Sequence, residues 1–268
     1  MTAWDGERAR LVLGDPLNEL PRSEPATSVP SIPLPRQQSG DWSVSGAVFF
    51  AVFVVAASQL TGFLVLHLVF EGGRAREGTA GQALVLSQVA VQFAQLGLAW
   101  FLAGANAAER ARALNLERVH LPISRLIGYV FLLLGVKVVA TMVASGIVPY
   151  DSRQEMEPFR GLLGDPVSRA GFLFAVLLAG LTEELVFRGV LSRTLERTRL
   201  GFWAGAAVAS GTFAVIHLQY GVGGQIVVFA IGMTLAWMRA RSNSVWPAVV
   251  CHAANNGLAY LALIAVSK

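Results

Sequence analysis

Three short motifs hold the side chains of this chain that are able to do chemistry. They are Glu183-Glu184-x-x-x-Arg188, Phe213-x-x-x-His217 and His252-x-x-x-Asn256. Each lies inside or at the end of an apolar run, where a carboxylate costs a few kcal/mol on insertion scales. Such groups persist where they face a protein interior and have partners or a reaction to serve. Glu184 and Arg188 are four apart, so they share a helix face and can pair. Glu183 sits about 100° around the helix. It cannot easily share that arginine, and it is the candidate free carboxylate, a general base if it faces a cavity. The blander reading makes the group a buried polar knot that only holds helices together.

Phe213 and His217 share a face, as do His252 and Asn256. A lone histidine in an apolar helix is commonly a satisfied bundle residue. Two histidines, a free Glu and an Asn on three helices instead suggest one polar cavity. Glu183, His217 and His252 are the donor types of a zinc site with an open position for water. Asn is a poor zinc ligand and a good oxyanion donor. Asn255 points elsewhere and is expected to bond a neighbouring helix. His67 and His120 have no such company. The chain has no HExxH zincin motif and no GxSxG or Ser/His/Asp set. Gly221 to Gly224 reads as a tight interhelical turn, since no GKS or GKT follows to make it a phosphate loop.

These groups need elements to position them. Of 268 residues, 54% are hydrophobic and 14% charged, against about 25% charge in soluble domains. The mean hydropathy is +0.55. The expected fold class is all-α: a polytopic membrane helix bundle with about seven transmembrane helices and a disordered N-terminal tail. Apolar runs at roughly 43–70, 82–105, 126–148, 168–191, 202–219, 224–239 and 245–266 approach the span length of about 20 residues, the sixth being short. They must be helical, because lipid leaves no other partner for the backbone.

The domain reading is 1–41 as a Pro-rich cytoplasmic tail, 42–167 as N-terminal transmembrane helices, and 168–268 as the chemistry-bearing helices. The tail holds six of the eleven prolines and too little apolar surface to offset ordering; within it, the patch Ala9 to Gly14 is a candidate docking element. No signal peptide is expected, since no basic segment precedes an apolar one there. The formal charge of +4 comes from short loops and not from a basic stripe with aromatics, so no nucleic-acid partner is expected. Arg22 and Arg36 in the tail, Arg110, Arg112, Arg118 and Arg125 after the second span, Arg193, Arg197 and Arg199 after the fourth, and Arg239 and Arg241 after the sixth outnumber those of the other loops (Arg74, Arg76, Arg153, Arg160). Positive-inside counting therefore puts the N-terminus in the cytoplasm and the C-terminus outside. Cys251 is the chain's one cysteine, which excludes an intrachain disulfide. Gln88, Gln92 and Gln95 read as interhelical glue. Lys137 reads as a snorkelling or bundle-paired cation.

Depth tests convergence. At about 1.5 Å per residue, Glu183 falls near mid-span and His217 reaches a similar height from a turn near 200. His252 lies only about 10 Å from the start of its helix, so that helix must begin deep or tilt. Trp246-Pro247 permits a recessed start.

The three motifs in this order, over about residues 168–266, resemble those of the CPBP family of intramembrane proteases, which includes type II CAAX prenyl endopeptidases and bacterial Abi-type proteins. The resemblance implies an intramembrane endopeptidase, multi-pass, in a bacterial inner membrane. It implies that Glu183 activates water with His217. His252 and Asn256 would stabilise the oxyanion or complete a metal site. Glu184, Arg188 and Phe213 would support them. The family carries a metalloprotease label, which implies Zn on Glu183, His217 and His252; a metal-independent glutamate mechanism is the alternative. The implied partner is a peptide or protein substrate at the lipid bilayer, not necessarily prenylated. The competing class is a non-catalytic scaffold, or a proton-coupled transporter with Glu183 and His217 as its relay.

Overall fold

The computed structural model describes residues 42–69 and 80–267, without the side chains of Val69, Ser152, Arg153 and Pro158. The expected tail of 1–41 with its docking patch, Arg22 and Arg36, the loop cations Arg74 and Arg76, and the Arg153 side chain lie outside that description. Among the described residues every regular element is helical.

The helices are α1 (Val44–Leu64, prolonged by a π turn, Val65–Val69), α2 (Ala80–Leu102), α3 (Ala107–Ala113), α4 (Ile123–Ile147) and α5 (Ser152–Met156), followed by a 3-10 segment (Glu157–Leu163). Then come α6 (Pro166–Glu184), a π segment (Leu185–Ser192), α7 (Arg193–Glu196), α8 (Gly201–Val215), α9 (Val222–Ser242) and α10 (Trp246–Val266). Six helical stretches are long and apolar enough to cross a membrane: α1, α2, α4, α6 through α7, α9 and α10. The expected short sixth span is in fact a full 21-residue helix, and the short one is α8. Its 15 residues reach only about 22 Å, against a hydrocarbon core of about 30 Å. Apolarity continues past Val215, but the helix does not; hydropathy tracks composition and is blind to where the backbone turns.

Helix α6 starts where the sequence says it should. Asp165 accepts from the Val167 and Ser168 backbone N–H groups at 2.9 and 3.1 Å, and Pro166 fills the first turn, where no N–H is needed. The Ser168 hydroxyl, then the backbone, holds the Asp165 carboxyl below the usual carboxylate range. From there α6 runs through the middle of the bundle, packing on α2 and α10, and its π segment meets α1, α8 and α9. Gln92 of α2 is buried and accepts from the Thr182 hydroxyl at 2.5 Å, the interhelical role expected of it. Gln88, one turn earlier, is exposed.

Every residue from Leu185 to Glu196 is buried, so this stretch runs through protein and tolerates polar side chains. One consequence was not legible in sequence. Arg239, read there as a loop cation, lies inside α9, fully buried, and pairs with buried Glu196. Ser192 donates to the other Glu196 oxygen. Arg193, also read as a loop cation, is buried and donates to the Arg112 carbonyl at 2.6 Å.

The start of α10 is buried in protein. Ser244 and Val245 are wholly enclosed. The Val245 N–H donates to the Asn115 carbonyl at 3.0 Å, and the Ser244 hydroxyl to the Glu117 carbonyl at 2.6 Å. Asn243, at φ 49°, ends α9 in the left-handed region that Asn tolerates.

Removing one partner of a buried ion pair strands a charge, at about 3–5 kcal/mol, whereas replacing both by apolar groups is often neutral. Arg239→Met and Glu196→Leu singly are therefore expected to destabilise the purified chain strongly in an SDS unfolding titration, and the double variant to recover most of the loss.

Candidate active site

The site is built where the end of α6 meets α8 and α10. Glu183 and Glu184 close α6, Arg188 follows in the π segment, Phe213 lies in the last turn of α8, and His217 sits two residues past it. His252 comes from the second turn of α10. π segments recur at functional sites because they re-aim side chains out of α-helical register.

Glu184 is the fixed point. Its side chain is fully buried, and its Oε1 accepts from Arg188 Nη1 at 2.9 Å and from His252 Nδ1 at 2.8 Å. The i,i+4 pairing expected from sequence is present, and the bond to His252, across 68 positions, is additional. With Nδ1 donating to Glu184, the His252 ring presents Nε2 to Glu183, whose Oε2 lies 3.8 Å away. That is beyond a hydrogen bond. Glu183 is the more open of the two carboxylates, with 19% of its side chain accessible.

Phe213 is the hub between the imidazoles. Its ring centroid lies 4.5 Å from that of His217 and 6.0 Å from that of His252. The Arg188 guanidinium sits over the same ring at 4.3 Å, within cation–π range. Phe187 meets it edge-on at 5.0 Å. His217 Nδ1 lies 2.7 Å from the Phe213 carbonyl. A carbonyl only accepts, so Nδ1 carries the proton, and a neutral His217 offers the Nε2 lone pair outward. Both histidines are thus held through Nδ1, leaving Nε2 for water or substrate.

Glu183, Glu184, Arg188, Phe213, His217 and His252 all lie in this neighbourhood. Asn256 follows one turn after His252, but its amide donates to the Val176 carbonyl of α6 at 3.0 Å and accepts from Asn255 at 3.3 Å. One amide hydrogen remains. Its placement is that of a tether between α10 and α6. Among the described residues, no three His, Cys, Asp or Glu side chains come together as a metal-ligand set. Glu183 and His252 approach one another, yet Glu183, His217 and His252 as placed do not close a zinc site. Cys251, beside His252, is buried.

The contact between α6 and α10 is as close as backbones allow. A Cβ on Gly180 would stand 2.7 Å from the Ala253 backbone nitrogen, so only glycine permits this approach. Outside the spans, Glu155 accepts from the Gly221 N–H at 2.9 Å. Burial pushes its carboxyl above the usual range, against the pull of the Gly221 and Gly224 N–H groups. This bond clamps α5 onto the start of α9. Sequence reasoning missed it, and missed Tyr220 beside His217; the Gly-rich start of α9 was the available signal.

A helical membrane protein with paired carboxylates and two oriented imidazoles at the meeting point of three helices is the class that fold and site define. A family model described as Rce1-like type II CAAX prenyl endopeptidase matches residues 166–258, from the first residue of α6 into α10. The matched segment is similar to the CAAX protease family's domain, and this supports a CAAX-type intramembrane endopeptidase in general. No curated protein and no solved structure matches the chain.

Gly180→Ala tests the close approach. Its new methyl meets backbone and not a flexible side chain, so α10 has to move. The expected result is a stability loss of about 1–3 kcal/mol in the SDS titration.

Proposed function

We propose that the chain is an intramembrane endopeptidase that hydrolyses a peptide bond with water activated by Glu183 and His217. The observation that carries this reading is the Glu184–His252–Glu183 array. One carboxylate is spent on orientation, and the second faces the far nitrogen across a gap wider than a direct bond. That gap and the outward Nε2 of His217 are where a water and a scissile carbonyl would sit.

In the proposed reaction Glu183, with His217, takes a proton from water as its oxygen attacks the carbonyl carbon. The carbonyl π pair moves to oxygen. The tetrahedral intermediate then collapses, and the leaving amine takes the proton back. His252 lies beside the developing charge, and Glu184 and Arg188 hold its ring. The remaining Asn256 hydrogen is the one that amide has left for an oxyanion. Since the donors as placed do not form a zinc site, no step runs through a metal.

The substrate is a peptide or protein segment at the membrane. A prenylated CAAX C-terminus is the test substrate that the family's name offers. Glu183→Gln is expected to lower the rate of cleavage of a farnesylated, internally quenched CAAX peptide by about 10²–10⁴, the worth of a general base, with unchanged folding. Treatment of the wild-type chain with a zinc chelator is expected to leave cleavage intact. Full cleavage by Glu183→Gln would remove Glu183 as the base, and no cleavage by the wild type would remove the proteolytic reading and favour a scaffold or a relay.

We also place the N-terminus in the cytoplasm of a bacterial cell, its membrane the inner one. Six long helices plus α8 leave the C-terminus on the opposite side. Cys251 is buried and the chain has no other cysteine, so a single cysteine at Ser267 is expected to label from outside in intact cells and one at Arg118 only after permeabilisation.

A further inference from the structure

The proposed reaction, on which this inference rests, needs a donor for the oxyanion, and one Asn256 amide hydrogen is already committed to Val176. The turn after α8 offers another. Tyr220 has its N–H bonded to the His217 carbonyl at 3.0 Å, so the two residues move as one turn. Their rings run parallel within 8°, centroids 6.0 Å apart. On the other side, Phe159 of the 3-10 segment approaches the phenol ring at 6.4 Å.

Gly224 explains how the residue fits. A Cβ there would meet the Tyr220 Cβ at 2.8 Å and a Glu155 oxygen at 2.0 Å. The missing side chain is the space that Tyr220 and the Glu155 clamp share. The phenol lies within the field of the Glu183 carboxylate. Both chain neighbours, Gln219 and Gly221, line an open cavity of about 490 Å³ that Tyr150 and Glu155 also border. Tyr220 therefore stacks on His217 and lies in the chain between two residues that line a space able to admit a peptide.

We propose that Tyr220 is a catalytic residue of the endopeptidase, its phenolic O–H donating a hydrogen bond to the carbonyl oxygen of the scissile peptide as that oxygen becomes negative. Burial, and after it the charge of Glu183, pushes the Tyr220 phenol up to about 12, so it keeps its proton throughout the neutral range and acts as a donor and not a base. No proton leaves it. The carbonyl π pair moves onto oxygen, the O–H bond of Tyr220 points at that oxygen, and collapse of the intermediate returns the pair.

The test is Tyr220→Phe in the full-length chain, beside wild type and Glu183→Gln, on the farnesylated quenched CAAX peptide. Phenylalanine keeps the ring against His217 and removes only the hydroxyl. The expected result is a fall in kcat of about 10²–10³, the range for one oxyanion donor, with KM within about threefold. A phosphinic analogue of the same peptide, tetrahedral at the reacting centre, is expected to lose affinity by a similar factor, because transition-state contacts are what it reports. A structural role would lower stability without this split between kcat and KM. Wild-type kcat in Tyr220→Phe, with Glu183→Gln inactive, overturns the assignment of Tyr220 alone. No cleavage by the wild type overturns the proteolytic reading, full activity in Glu183→Gln overturns the Glu183 mechanism, and this inference falls with either.

Discussion

The site depends on one carboxylate oxygen. Glu184 Oε1 takes an N–H from Arg188, four residues along its own chain, and an N–H from His252 on another helix. Burial makes both bonds matter. In a low-dielectric interior an unmatched carboxylate is costly, so Glu184 cannot release either partner without stranding a charge. The orientation of the His252 ring, and with it the direction of Nε2, follows from that constraint. Arg188 is fixed in turn by Glu184 and by the Phe213 ring beneath it, and Phe213 fixes His217 through its carbonyl. Five motif residues thus form one continuous chain of contacts ending at two free ring nitrogens.

The neighbouring carboxylate differs by position, not by type. Glu183 is adjacent in sequence yet turned about a quarter of the way round the helix, and it reaches neither Arg188 nor a hydrogen bond to His252. The same residue type therefore serves as an anchor at 184 and stands ready at 183. The π segment that begins at Leu185 carries the chain on through a wholly buried stretch, where the second ion pair, Glu196 with Arg239, joins α7 to α9. Glu184 through His252, and Glu196 through Arg239, tie one polypeptide stretch to α10 and α9 at separate heights.

What the sequence made legible follows interactions of short range. The Glu184–Arg188 pair and the closeness of Phe213 to His217 were readable, because helical periodicity sets them. The bond from Glu184 to His252 was not, since it depends on the register of α10 against α6. The same register decided Asn256. Its spacing from His252 was right for a shared face, but the backbone approach at Gly180 brings the Val176 carbonyl within reach of the amide. Arg239 was misread for a related reason: at the end of an apolar run, a charge facing solvent and a charge facing a buried partner look alike. The length of α8 was overestimated because an apolar sequence continues past the point where its backbone stops winding. The family match covers the segment that these motifs occupy and leaves the first five helices to be understood from packing alone.

The glycine contact at position 180 has a mechanical consequence. With α6 and α10 touching backbone to backbone, and the base of α10 gripped by Asn115 and Glu117, the two walls that bear Glu183 and His252 form a single stiff plate. Parting those walls would mean pulling backbone from backbone, so the spacing of the two groups is built into the frame.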